Sequence, residues 1–522
     1  MPRVAHGSSA TPEQLRQAHE AMAERAAEVD LGFAVSAPAV LQNFDFLFPE
    51  LQDDEANLLP RSATTVKRLK ELGRAMVDPG PVTGDGTVPA IYTYFGQFVD
   101  HDITFDPASS LQMQDDPDAL TDFRTPAFDL DNVYGRGPDD QPYMYDGNNF
   151  LLGNKLTGAN PNATDLPRNS ANPARALIGD PRNDENTIVS QLQGLFHRFH
   201  NRTLKDNSAL PFEQIQTLVR FHYQYVLLND FLPRIVHSSV ITALKTNGKY
   251  DHTKLKFFHW KNEPFMPVEF SVACYRLGHS MIRPGYRLND DDSTLLPIFL
   301  TPDAAAAGFK DDLTGFRAVV TNRAIDWGRF IDTDIRTYDG SDAENKKRLQ
   351  LAYRIDTSVV DPLSNLPAVV AANPSSLPQR NLIRGWRMGL PSGQQVAQAM
   401  GVPPMDDKEI LIGKGVDKQD PKDVQPFPIT GVNKVFTKNC PLWTYILAEA
   451  VHHIEKVKIP VKENISITTP RLGPVGGRIV AEVFLGLMFG DNNSLLNLEP
   501  NWQPPNNPNF ALKDFVNYAL GN

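Results

Sequence analysis

Proline constrains this chain more than any other residue. Forty-two of its 522 residues are proline. They punctuate long stretches at 107–126, 155–181, 357–379 and 401–430, which therefore read as loops. Between them lie segments with helical patterning, at 89–103, 186–205, 211–245, 267–283, 440–457 and 475–490. Alternating strand patterns are sparse. KIPVKENISITTP, at 458–470, is the stretch that reads as holding a short strand. There is no internal repeat. Long ordered loops among helices are uncommon in a compact domain, and they make sense where they wrap something bulky such as a cofactor. The expectation is a mainly α chain with little β: one large helical domain over 41–522. TPEQLRQAHEAMAERAAEVD, at 11–30, starts as a capped helix at Thr11, Pro12 and Gln14. Its apolar face is mostly alanine, so residues 1–40 read as an N-terminal arm or peripheral helix.

The net charge of −11 argues against nucleic acid as the main partner, which needs a basic face. Two cysteines, Cys274 and Cys440, imply neither a disulfide framework nor a zinc ribbon. The N-terminus MPRVAHGSSATPEQ lacks an apolar signal core. No apolar run has the length of a membrane span. The chain is expected to be cytoplasmic, or secreted without a classical signal peptide.

GQFVDHDITFDP, at 96–107, sets Asp100, His101 and Asp102 side by side in an apolar stretch. Polar groups there are costly without partners. On a helix Gln97 and His101 share a face, while Asp100 and Asp102 point about 200° apart. One helix could thus offer His101 to a cavity, Asp100 to its rim and Asp102 to a site behind. The plain alternative is a buried histidine satisfied by its neighbours. TPAFDLDNVYG, at 125–135, supplies Thr125, Asp129, Asp131 and the Ala127 carbonyl. With Asp102 these are the oxygen ligands calcium prefers, although the spacing is not that of an EF-hand. In GDPRNDENTIVSQLQGLFHRFHNRTL, at 179–204, Arg182 and Glu185 precede a helical apolar run. His197 and His200 in that run read as structural rather than as a metal pair. PVEFSVACYRLGHSMIRPGYRL, at 267–288, places Arg276, His279 and Arg283 on one stripe of a continuous helix. RNLIRGWRMGLPS, at 380–392, offers Asn381 and Arg384 one turn apart.

The ordered set GQFVDHDI, TPAFDLDNVYG, GDPRNDE, HNR, YRLGHSMI and NLIRGWRMGLP resembles the animal-type haem peroxidases of the peroxidase–cyclooxygenase superfamily, and most of all a short bacterial member. The resemblance spans roughly 40–510. It implies a helical domain around buried haem b. By that resemblance His101 is the distal histidine, Gln97 its neighbour in the donor pocket and Arg182 the distal arginine. His279 is the proximal iron ligand and Asn381 accepts its other ring proton. Arg276 and Arg384 face the propionates. Asp100 and Glu185 match the carboxylates that form haem esters in mammalian members. Asp102, Thr125, Ala127, Asp129 and Asp131 match a calcium shell. The implied reaction reduces hydrogen peroxide and oxidises a small anionic or phenolic donor.

Asn186 stands where some mammalian members carry a methionine linked to haem, which favours bromide, iodide, thiocyanate or phenols over chloride. A fatty-acid dioxygenase of the same superfamily is the first alternative. Those enzymes carry a radical-forming tyrosine three residues before the proximal histidine. Here that position is Arg276, and Tyr275 is expected to point elsewhere on the helix. Further alternatives are a calcium-stabilised binding protein with a vestigial haem pocket and a zinc hydrolase built on His197 and His200.

Overall fold

The computed structural model describes residues 44–52, 54, 57–78, 80, 84–104, 126–260, 264–292, 294–337, 347–367, 370–371, 373–415, 424–505 and 507–521. The expected helix at 11–30 and Thr125 lie outside the described residues. The longer helices, numbered in chain order, are α1 (Ala63–Ala75), α2 (Ile91–Ile103), α3 (Thr187–Asp206), α4 (Phe212–Val226), α5 (Leu377–Arg387), α6 (Leu442–His452), α7 (Gly476–Gly490) and α8 (Leu512–Leu520). Among the described residues, sheet occurs only as two-stranded pairs. The longest, β1 (Ile454–Lys458) with β2 (Ser466–Pro470), is antiparallel. The mainly α expectation holds. One buried core draws residues from Leu47 to Leu520.

Two helices lie at its centre. α2 is buried on nearly every side, and its half-buried positions are Gly96, Gln97 and Asp100. A helix apolar all round belongs in a core. α3 is capped by Asn186, whose side chain accepts from the Ile188 and Val189 amides. Phe98 of α2 stacks on Phe196 of α3, with ring centroids 4.3 Å apart. Burying one such ring contributes about 1.5–3 kcal/mol.

Three expected elements are revised by the structure. The helix at 211–245 is α4 followed by a π turn, Leu227–Phe231, and a short helix, Leu232–Ile235. Pro233 has no amide to donate to the preceding turn. Val236 then turns extended, and the His237 amide bonds to the Leu472 carbonyl at 3.0 Å. The helix at 440–457 stops at His452 because β1 pairs with β2. The helix at 267–283 is broken. Val268–Val272 is α-helical, Ala273 departs at φ −128° and ψ −69°, and a 3-10 turn Cys274–Leu277 leads into Gly278–Met281. Side chains take over two carbonyls near the break. Arg276 Nε donates to the Ser271 carbonyl at 3.1 Å, and Trp443 Nε1 donates to the Arg276 carbonyl at 3.2 Å.

α1 and α5 meet at Gly73. A Cβ there would lie 2.6 Å from Gln379 Cγ and 2.9 Å from its backbone nitrogen. That close approach sets the depth at which α5 presents Asn381.

Candidate functional site

A cavity of about 1070 Å³, counting the space open to solvent, lies between α2 and the broken segment 268–281. One wall carries Gln97, Asp100 and His101, with Glu185 beside them. The opposite wall carries Arg276 and His279. Helical spacing accounts for the first wall, because Gln97 and His101 are one turn apart. The 3-10 turn accounts for the second.

His101 is 5% exposed. Its Nδ1 lies 2.7 Å from Asn183 Oδ1. Asn183 Nδ2 in turn donates to Gln193 Oε1 at 2.8 Å. That bond fixes the amide, so its oxygen faces His101 and Nδ1 carries the ring proton. Nε2 is left as a base, 3.9 Å from Glu185 Oε1. Gln97 Nε2 donates to the same carboxylate, and Asn186 Nδ2 donates to Gln97 Oε1 at 3.2 Å. Asn183 carried no sequence signal of its own. It lies within GDPRNDE, between two residues that did.

His279 is half-buried, and its Nδ1 lies 2.8 Å from Asn381 Nδ2, so the amide presents its donor to the ring and not the acceptor expected from the sequence, because its oxygen is turned toward Arg276. Burial, with the neighbouring Arg276 charge, lowers its pKa to about 3. The ring is therefore neutral at physiological pH, the form that can bind a metal. Arg276 Nη1 is 3.5 Å from Asn381 Oδ1.

Other expected residues sit elsewhere. Arg182 is buried but does not line the cavity. It pairs with Asp180 at 2.8 Å and donates to the carbonyls of His101, at 3.0 Å, and Thr104. A cation suits that place, because those carbonyls close the C-terminal end of α2. Arg384 is also buried and outside the lining. Arg283 leaves the expected stripe, pairs with Asp85 and stands over the Tyr353 ring at 5.0 Å. Tyr275 does not point elsewhere. The break at Ala273 turns it into the cavity wall, and its hydroxyl donates to the Gly96 carbonyl at 3.2 Å.

Asp102 is fully buried and is not among the cavity-lining residues. Burial first, then the Asp102 carboxylate and the Tyr275 hydroxyl, with Asp129 contributing after them, raise the Tyr223 hydroxyl well above its usual pKa. Two expected calcium ligands, Asp102 and Asp129, thus both act on the charge of one phenol. Asp129 Oδ1 accepts the Asp131 amide at 3.0 Å, and Ala127 is buried. Among the described residues no three His, Cys, Asp or Glu side chains form a metal group. His200 uses both ring nitrogens, with Tyr134 Oη at 3.0 Å and the Asn148 carbonyl at 2.9 Å. His197 stacks on Phe150 at 4.3 Å. Both rings are built into the packing, which removes the basis for a zinc site.

The donor set fits haem. His101 and His279 both line the cavity, the His279 ring is neutral, and carboxylates flank His101. Residues 110–301 match the family model described as animal haem peroxidase. The fold is shared with peroxidase A of Dictyostelium discoideum at TM-score 0.50 and 14% identity, over 83% of this chain and 84% of that one. It is also shared with the fatty acid alpha-dioxygenase of Arabidopsis thaliana at TM-score 0.50 and 13% identity, over 87% and 75%. A peroxidase-like protein of Margaritifera margaritifera is 27% identical over 115 residues, which span 20% of this chain and 14% of that relative. Residues 110–301 are thus similar to the animal haem peroxidases, and the fold is one shared by a peroxidase and a fatty acid alpha-dioxygenase. Among the described residues no helix is long and apolar enough to cross a membrane.

Proposed function

We propose that this chain is a haem peroxidase that reduces hydrogen peroxide and oxidises bromide, iodide, thiocyanate or a phenolic donor. The observation that carries the reading is the pairing of His101 and His279 across one cavity, each with its Nδ1 held by an asparagine amide. His279 Nε2 would hold the iron once the Asn381 amide turns its oxygen to the Nδ1 proton, and Arg276 would meet a propionate. When bound, haem supplies the redox-active iron that accepts the oxidising equivalents of peroxide. His101 Nε2 takes a proton from peroxide and returns it to the departing oxygen. Glu185 stabilises the imidazolium that forms between those transfers, and Gln97 holds Glu185 in place. Arg182, bonded to the His101 and Thr104 carbonyls, keeps the end of α2 in position. Asp100 and Glu185 line the cavity and would supply the ester links, and an esterified Glu185 would no longer carry the charge that steadies the imidazolium. Arg384 would face the second propionate only after a change in its surroundings.

The test is His101→Ala in the haem-loaded protein. Haem uptake is expected to persist, while the reaction with peroxide slows by about 10²–10⁴-fold. An unchanged rate would remove His101 from the chemistry. Calcium is proposed at Asp102, Thr125, the Ala127 carbonyl, Asp129 and Asp131, because Asp102 is a fully buried carboxylate and Asp129 folds back on the Asp131 amide in an oxygen-rich turn. A calcium-dependent rise in melting temperature, lost in Asp129→Asn, supports it, and a melting temperature indifferent to calcium rejects it.

Fatty-acid dioxygenation is the second reading, favoured by Tyr275 in the cavity wall. Its phenol bonds to a carbonyl rather than to a base. Oxygen uptake driven by a long-chain fatty acid and lost in Tyr275→Phe would select it. The binding-protein alternative requires a cavity that takes no haem.

A further inference from the structure

Three tyrosines line the cavity: Tyr92, Tyr94 and Tyr275. Their hydroxyls end on different groups. Tyr275 Oη meets the Gly96 carbonyl, which cannot take a proton. Tyr94 meets the hydroxyl of Tyr286, a second phenol. Tyr92 Oη donates to Asp230 Oδ2 at 2.5 Å. Asp230 lies in the π turn, and π turns often mark functional positions. Arg234 Nε holds its Oδ1 at 2.7 Å, and the Leu512 amide bonds to its Oδ2 at 2.8 Å. The Arg234 guanidinium lies 4.4 Å from the Tyr92 ring centroid, and its side chain is 31% exposed. Tyr92 therefore bridges the cavity and a partly exposed cation, with a carboxylate on its hydroxyl.

Resting on the haem peroxidase reading, we propose that Tyr92 is a one-electron relay that carries oxidising power from the cavity to phenolic donors at the Arg234 surface. Removing an electron from a buried phenol without moving its proton would leave an uncompensated charge in a dry site. The guanidinium over the ring adds to that cost. Asp230 resolves both problems. An oxidised phenol is a far stronger acid than a carboxylic acid, so the Tyr92 O–H bond breaks and the proton forms a new O–H bond at Asp230 Oδ2. The electron leaves toward the cavity, where hydrogen peroxide is the oxidant. A phenolic donor returns one electron to the Tyr92 oxygen, the proton comes back from Asp230, and the donor releases its own proton to water. Two such turns supply two electrons, which with two protons convert one peroxide to two waters.

The same network also anchors the start of α8 through Leu512, so a loss of activity alone would not separate the two roles. The experiment is rapid freeze-quench electron paramagnetic resonance of the full, haem-loaded chain after mixing with hydrogen peroxide. The visible haem band is recorded on the same samples. The expected result is an organic radical whose hyperfine structure collapses when tyrosine is ring-deuterated. It persists in Tyr275→Phe and is lost in Tyr92→Phe and in Asp230→Asn, with the haem band still responding to peroxide. Tyr92→Phe with an unchanged radical overturns the relay and leaves the peroxidase reading standing. A chain with no haem band overturns both.

Discussion

At the scale of single residues, the sharpest feature is the way neighbours with similar chemistry part company. Asp100 and His101 line the cavity, while Asp102 is buried outside its lining. That divergence was legible from helical geometry alone, because adjacent positions on a helix face different ways. Arg182 was not legible, since its direction depends on a 3-10 turn and on Asp180, which no periodicity encodes. Asn183 was missed altogether. It matters because its oxygen, fixed by Gln193, decides which nitrogen of His101 is the base. Asn183→Leu is therefore expected to slow the peroxide reaction by about 10–100-fold, the usual cost of losing an outer partner. It should also move the acid limb of the pH–rate profile. Stopped-flow traces across pH check this, and a profile identical to wild type would count against the tautomer argument.

Among elements, α2, α3 and α7 follow their apolar patterning almost residue for residue. The segment carrying His279 does not. Its apolar pattern is that of one helix, but Arg276 Nε and Trp443 Nε1 satisfy carbonyls that a continuous helix would bond itself. Such long-range donors are invisible to local patterning. α5 reaches the site through its contact with α1 at Gly73. Gly73→Ala would push a methyl against the Gln379 backbone. The expected costs are about 1–3 kcal/mol of stability and weaker haem retention, because α5 carries Asn381. Urea unfolding and a haem-transfer assay read the two effects. Unchanged haem retention in a clearly destabilised variant would uncouple α5 from the site.

Across the whole molecule, long loops replace sheets, and buried carboxylates anchor them. Glu269 accepts the Leu47 and Phe48 amides, Glu449 those of Val475 and Gly476, and Glu482 those of Lys256, Phe257 and Phe258. The long loops were legible as proline-rich tracts, but their anchors were not, since a lone glutamate in a helix resembles any surface glutamate. Burial raises Glu449 to about 7 from an ordinary value of 4.5. The native state thus keeps a proton that the unfolded chain has lost. Its contribution to stability is full below pH 4.5 and falls away as pH rises through 7. Glu449→Gln lacks that titration, so it should cost more stability at pH 4.5 than at pH 8. Denaturant melts of both proteins at the two pH values decide it, and a pH-independent difference would contradict the burial argument.

Haem binding in this cavity through His279 underlies every role assigned to its side chains. It is tested most directly by titrating haem into the wild-type chain and His279→Ala while recording the Soret band. Saturable one-to-one binding with a histidine-ligated spectrum is expected in the wild type, and a weakened, altered spectrum in the variant. Equal spectra and affinities in both proteins, or no binding in either, would contradict it.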